Sequence, residues 1–186
     1  MIKFSLIVIL LISSLCSIAK SPNEGIETHF KSKPEYQLKS PPDKIVSLAV
    51  RQVFNAEFYD AYVAFKPEGS TFSEVFRTAV ARHNNQWISF PKLVDDAIIS
   101  KDLVKLLRKD FTLKNNDQAL ILLEALKDIF SIAAGYHDSR PNYAKVKKSG
   151  NHWQLQVSMF FDEAVHFKVI TDNKGKVTEI TFSLGD

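Results

Sequence analysis

The last third of the chain alternates, and that constrains the fold more than any other feature. Trp153, Leu155, Val157, Met159 and Phe161 occupy odd positions, with His152, Gln154, Gln156, Ser158 and Phe160 between them. Val165, Phe167 and Val169 continue on odd numbers, whereas Ile180, Phe182 and Leu184 fall on even ones. A period of two marks strands with one buried face, and cross-strand partners must share that face. Pairing Phe161 with Val165, and Val157 with Val169, leaves Asp162-Glu163-Ala164 as a three-residue loop. Pairing Val169 with Ile180, and Phe167 with Phe182, leaves Lys174-Gly175 as a turn; pairing Val146 with Trp153 leaves Ser149-Gly150. All three are standard hairpin lengths, and two contain the expected glycine. The expectation is a four-stranded antiparallel meander with one apolar face.

Upstream the period changes. Val46, Val50, Val53, Phe54, Phe58, Ala61, Tyr62 and Phe65 recur at helical spacing and predict a helix from Ile45 to Phe65, stopped by Pro67 and Gly69. Thr71 with Glu74 has the spacing of a capping box, and predicts a second helix with Phe72, Val75, Phe76, Ala79, Val80 and His83 on its stripe. Asn84-Asn85 ends that helix, and Gln86 to Phe90 reads as a short strand. A shorter helical region follows, with Ser100 capping Lys101 to Lys109. Asn116 or Asp117 then caps a strong helix carrying Ala119, Leu122, Leu123, Leu126, Ile129, Phe130 and Ala133 on one face, closed by Gly135. The expected class is α+β, with N-terminal helices packed on the C-terminal meander.

Residues 1–19 read as a signal peptide. Lys3 is followed by an uncharged apolar run from Phe4 to Cys16, too short to span a bilayer, and Ser17-Ile18-Ala19 places small residues for cleavage before Lys20. The expected location is therefore the periplasm, with peripheral or no membrane contact. Lipidation at Cys16 is the rival processing, but Leu15 is bulky where a lipoprotein box expects a small residue. Cleavage also removes Cys16, the chain's one cysteine, and with it thiolate catalysis, disulfides and thiolate zinc sites. Residues 20–42 carry four of the seven prolines and no apolar period, and read as a tether or wrapped arm outside the core. Residues 43–186 form the single expected domain.

Three stretches carry a family resemblance. Phe58-Tyr59-Asp60-Ala61-Tyr62 ends the first expected helix with an aromatic pattern; Ile98-Ile99-Ser100-Lys101-Asp102-Leu103 with Leu106-Leu107 looks like a short helix before a sheet; Asp172 to Ile180 is similar to a final hairpin. Together they resemble the nuclear-transport-factor-2-like superfamily, which includes small exported bacterial envelope proteins of unassigned function. The resemblance implies a cone-like fold, in which helices close one side of a curved sheet around a pocket.

Catalytic signatures are weak. His29, His83, His137, His152 and His166 show no metal-ligand spacing, and no metal or cofactor is expected. No Gly-x-Ser-x-Gly elbow or glycine-rich phosphate loop occurs. The core-facing strand positions are apolar, whereas acid–base chemistry in a cone needs a carboxylate or histidine inside. The densest polar segment is Tyr136-His137-Asp138-Ser139-Arg140-Pro141, between the last helix and the first strand. Tyr136, His137, Asp138 and Arg140 are therefore candidate binding residues. On the polar face of the meander Lys145, Lys147, His166 and Lys168, with Gln154 and Gln156, form a candidate docking surface for an acidic partner. A net charge of +3 in an exported chain gives no reason to expect nucleic acid. The expected function is a non-enzymatic periplasmic binding protein for an envelope protein or a small apolar ligand, an immunity or inhibitor protein being one special case. The alternative is a cyclase- or isomerase-like enzyme using His137 or Asp138 at a pocket mouth.

Overall fold

Ser21-Pro22-Asn23-Glu24 starts a helix. In the computed structural model, which describes residues 21–71, 73–90, 101–130, 144–158 and 164–185, α1 spans Pro22–Lys31. The Ser21 hydroxyl accepts from the Glu24 N–H at 3.3 Å, and the Glu24 carboxylate accepts from the Ser21 N–H at 3.1 Å. This is a complete capping box, with Pro22 in the first turn, where its missing N–H costs nothing. Ile26 and Phe30, one turn apart, are buried. Two short strands follow, β1 (Tyr36–Leu38) and β2 (Asp43–Lys44). Of the two expected forms this segment has that of a wrapped arm, and it joins a core, since Ile26 and Phe30 are buried: prolines at a helix start and between strands punctuate structure here without abolishing it.

The expected helix from Ile45 to Phe65 is likewise replaced. A short helix α2 (Leu48–Val53), capped by Ser47, gives way to strand β3 (Glu57–Phe65), and the expected second helix is strand β4 (Glu74–His83). The reason is two-sided burial. Phe58 and Ala64 face one side of β3 while Tyr59, Ala61 and Val63 face the other, and all five are buried. A strand covered on both faces loses its polar alternation and becomes a near-continuous apolar run, which a helical stripe also fits. Asn84 and Asn85 take positive φ values of 48° and 61°, so they form the tight hairpin turn into β5 (Gln86–Ser89). The strand expected at Gln86 is present. The first sheet runs β1-β3-β4-β5, with β2 also paired to β3, all antiparallel.

Two helices lead to the second sheet. α3 (Lys101–Lys105) is shorter than expected. The chain leaves the helix to bond α2's end, Asn55 N–H donating to the Leu106 carbonyl at 2.8 Å and Arg108 N–H to the Val53 carbonyl at 2.9 Å. α4 (Asn116–Ile129) is capped one residue earlier than expected, by the Asn115 side chain accepting from Gln118 N–H at 2.9 Å, and ends at Phe130. Ser100, Ala133 and Gly135 lie outside the described residues.

The meander is present as β6 (Ala144–Ser149), β7 (His152–Ser158), β8 (Ala164–Thr171) and β9 (Val177–Gly185), paired in sequence order. Val169 opposes Ile180 and Phe167 opposes Phe182, as parity predicts. Three details differ. Val157 pairs with Val165 rather than Val169, Val146 pairs with Leu155 rather than Trp153, and the last turn is enlarged by a register shift that pairs Thr171 with Val177. The first two are slips that keep parity and leave every side chain on its face, so alternation alone does not exclude them; the third is a one-residue bulge at the turn. At the enlarged turn Asp172 accepts from the N–H groups of Lys174 and Lys176, each at 2.8 Å, and these bonds hold its carboxyl below the usual range.

The molecule is α+β, with two apolar clusters among the described residues. The larger lies between the sheets, where Leu103, Leu122, Leu126 and Ile129 pack with Phe58 and Ala81 of the first sheet and with Trp153, Leu155, Phe167 and Ile180 of the second. The smaller lies on the other face of the first sheet, where α1 sets Ile26 and Phe30 against Tyr59, Ala61, Val63 and Val80. Of the expected N-terminal helices, the two nearest the meander are present and pack on it, whereas the first two are replaced by a sheet with helices on both of its sides.

Candidate functional site

Alternation turns one set of meander side chains inward and the other out. On the outer face Gln154 and Gln156 of β7 form the centre, flanked by β6 and β8. Gln156 lies between Lys145 and His166, and Gln154 lies between Lys147 and Lys168. On β9 the two rows continue with Ser183 and Thr181. The four candidates Lys145, Lys147, His166 and Lys168 are thus brought together in two adjacent rows.

The strand lattice sets the spacing. Lys145 and Lys147 are two residues apart on one strand, about 7 Å; Lys147 and Lys168 are two strands apart, about 10 Å. These separations are close to the Debye length of about 8 Å at physiological salt, so the charges act together on a facing surface. Lys145, Lys147 and Lys168 are exposed, while His166 is half-buried. Among the described residues no carboxylate lies within ion-pair distance of any of the three lysines. The neutral glutamines between them can accept and donate hydrogen bonds. Such a face can bind carboxylates.

Tyr136, His137, Asp138 and Arg140 lie outside the described residues. Among the described residues no group of three or more metal-ligating side chains occurs. His83 was expected on a core stripe; it stands at the end of β4, where Nδ1 lies 2.8 Å from the Asn55 carbonyl, consistent with a structural hydrogen bond.

Two features escaped sequence reasoning, both tied to α1. The first is a hydroxyl held between an imidazole and an ammonium: Ser89 Oγ lies 3.2 Å from His29 Nε2 and accepts from Lys33 Nζ at 2.8 Å. Burial, and then the Lys33 charge, lower the His29 pKa below its ordinary value. The second is a groove of about 410 Å³ between the end of α1 and the segment from Tyr36 to Pro41. The capping-box spacing Ser21-x-x-Glu24 was the signal that could have found α1, though not its place on the sheet.

Comparison with known protein families, with characterised proteins and with solved structures finds no match to this chain.

Proposed function

We propose that the chain is an exported, non-enzymatic binding protein of the bacterial periplasm, and that it docks an acidic protein partner on the outer face of the meander. The observation that carries this reading is the clustering of Lys145, Lys147 and Lys168 around two glutamines with no carboxylate paired to them among the described residues. A partner that presents carboxylates would gain both affinity and association rate from this patch. An immunity or inhibitor protein is a natural special case, since such a protein needs a surface and no catalytic group. In this reading the domain is a cone-like relative of the nuclear-transport-factor-2-like superfamily. The apolar inner face of the meander supports a protein partner over a small apolar ligand, because Leu122, Leu126 and Ile129 of α4 already pack into it.

The test is capture from the native envelope with wild-type protein and with a Lys145→Glu/Lys147→Glu/Lys168→Glu variant. A stoichiometric partner should be released by salt and missing from the variant. Retention of that partner by the variant, or indifference to salt, would refute the docking surface. The intact mass of the native protein tests export separately, since a chain beginning at Lys20 marks cleavage and a lipidated Cys16 marks anchoring.

A further inference from the structure

The free edge of the first sheet lies beside the groove, and the two together point to a different kind of ligand. β1 is an edge strand, paired only with β3 among the described residues. Its bonds to β3 fix which backbone groups are used. Lys66 N–H donates to the Glu35 carbonyl and Lys39 N–H donates to the Tyr62 carbonyl, both at 2.8 Å. In an antiparallel ladder alternate residues turn both backbone groups to the same neighbour. Glu35, Gln37 and Lys39 therefore face β3, and Tyr36 and Leu38 turn theirs to the open side. The Tyr36 N–H is taken by the Lys33 carbonyl at 2.9 Å. That leaves the Tyr36 carbonyl and both backbone groups of Leu38 on the edge, spaced as one side of a strand ladder.

The groove adds side-chain recognition. Its walls include Phe30 from α1 and Tyr36 and Leu38 from β1, with Lys31 and Lys39 at the rim. Phe30 is almost fully buried and the other two partly so, giving an apolar floor for one incoming side chain. Lys31 is matched by Glu27 at 3.6 Å, but Lys39 has only the neutral Gln37 amide, at 2.7 Å, among the described residues. We propose that this edge binds an extended acidic peptide by strand addition. One peptide residue bonds the Tyr36 carbonyl and Leu38 N–H, an apolar side chain enters the groove, and a carboxylate meets Lys39. Main-chain bonds then supply affinity and the groove supplies selectivity. This site is on the first sheet and does not depend on the lysines of the meander.

The probe is a positional library of acetylated, fluorescein-labelled extended peptides, each with an apolar residue flanked by Asp or Glu, read by anisotropy. Matching libraries carry Lys in place of the acids, or N-methyl groups on alternate amides. Acidic peptides should bind, N-methylation should abolish binding, and Lys39→Glu should weaken acidic peptides at least tenfold while favouring the Lys library. The Leu38 amide resonance should shift on titration. Lys145→Glu should leave peptide binding unchanged, which separates failure of this site from failure of the meander surface. No binding in any library, equal binding of acidic and basic peptides, or tolerance of N-methylation would overturn the proposal. Concentration-dependent self-association that broadens the Leu38 amide would also overturn it, assigning the edge to a second copy.

Discussion

Gly25→Ala inverts the usual consequence of that substitution. In an ordinary helix interior, alanine is favoured over glycine by about 1 kcal/mol. Gly25 is buried in the middle of α1, where an added methyl would lie 2.6 Å from Trp87 Nε1 and 2.7 Å from both Cε2 and Cζ2. The indole cannot yield as a flexible chain end would. Its ring meets Tyr59 edge-on at 5.6 Å between centroids, and the Arg82 guanidinium lies 5.7 Å from it. Overpacking of this kind costs about 1–3 kcal/mol, so the helix gain is offset and the variant should be less stable by roughly 1 kcal/mol. In a Trp87→Leu background the obstacle is gone, and Gly25→Ala should become stabilising by about 1 kcal/mol. Urea denaturation of the four members of this double-mutant cycle measures the coupling, and amide exchange in α1 localises it. Equal stabilisation by Gly25→Ala in both backgrounds would refute the close packing of α1 on the sheet.

Two further predictions concern single groups. His29 is held neutral in the fold because its pKa is lowered by burial and by Lys33. Its share of stability is therefore complete above the unfolded value near 6.5 and is lost as pH falls below it towards the lower native value. A pH series of urea midpoints should show this loss in wild type and a flatter profile in His29→Gln; identical profiles would exclude the role. Trp153 is nearly fully buried, and its Nε1 has no acceptor among the described residues. Trp153→Phe removes an unmatched donor along with some volume and should cost under about 1.5 kcal/mol, whereas Trp153→Ala should cost about 3–5 kcal/mol. Comparable losses in thermal or urea melts would show that the indole N–H is satisfied after all.

How legible the chain was depended on how each element is covered. The meander could be read because one face of each strand meets water; Gln154 and Lys168 stand out against Leu155 and Phe167. β3 and β4 could not. Phe58-Tyr59 and Ala79-Val80-Ala81 are buried on consecutive positions, which erases the period of two. α1 was hidden for another reason: its signal was local capping chemistry, outweighed by a count of prolines. Within the candidate surface, parity alone places the lysines on one face, but the rows that join Lys147 to Lys168 through Gln154 depend on the register, which parity leaves open. The groove required knowing that residues 22–44 fold back on β3, a long-range fact that no local pattern encodes.

The covering of the first sheet also sets an order of assembly. Each pairing of the meander joins neighbours in sequence, so it closes short loops and carries little entropic cost. α1 is different: its contact with β5, from His29 to Ser89, spans 60 residues and cannot form before β3, β4 and β5 are aligned. The segment that leaves the ribosome early is thus among the last to find its place. Until it does, Tyr59, Ala61, Val63 and Val80 remain an uncovered apolar strip on a sheet with an open edge. That interval is when the chain is most exposed to aggregation and to any factor that holds unfolded chains.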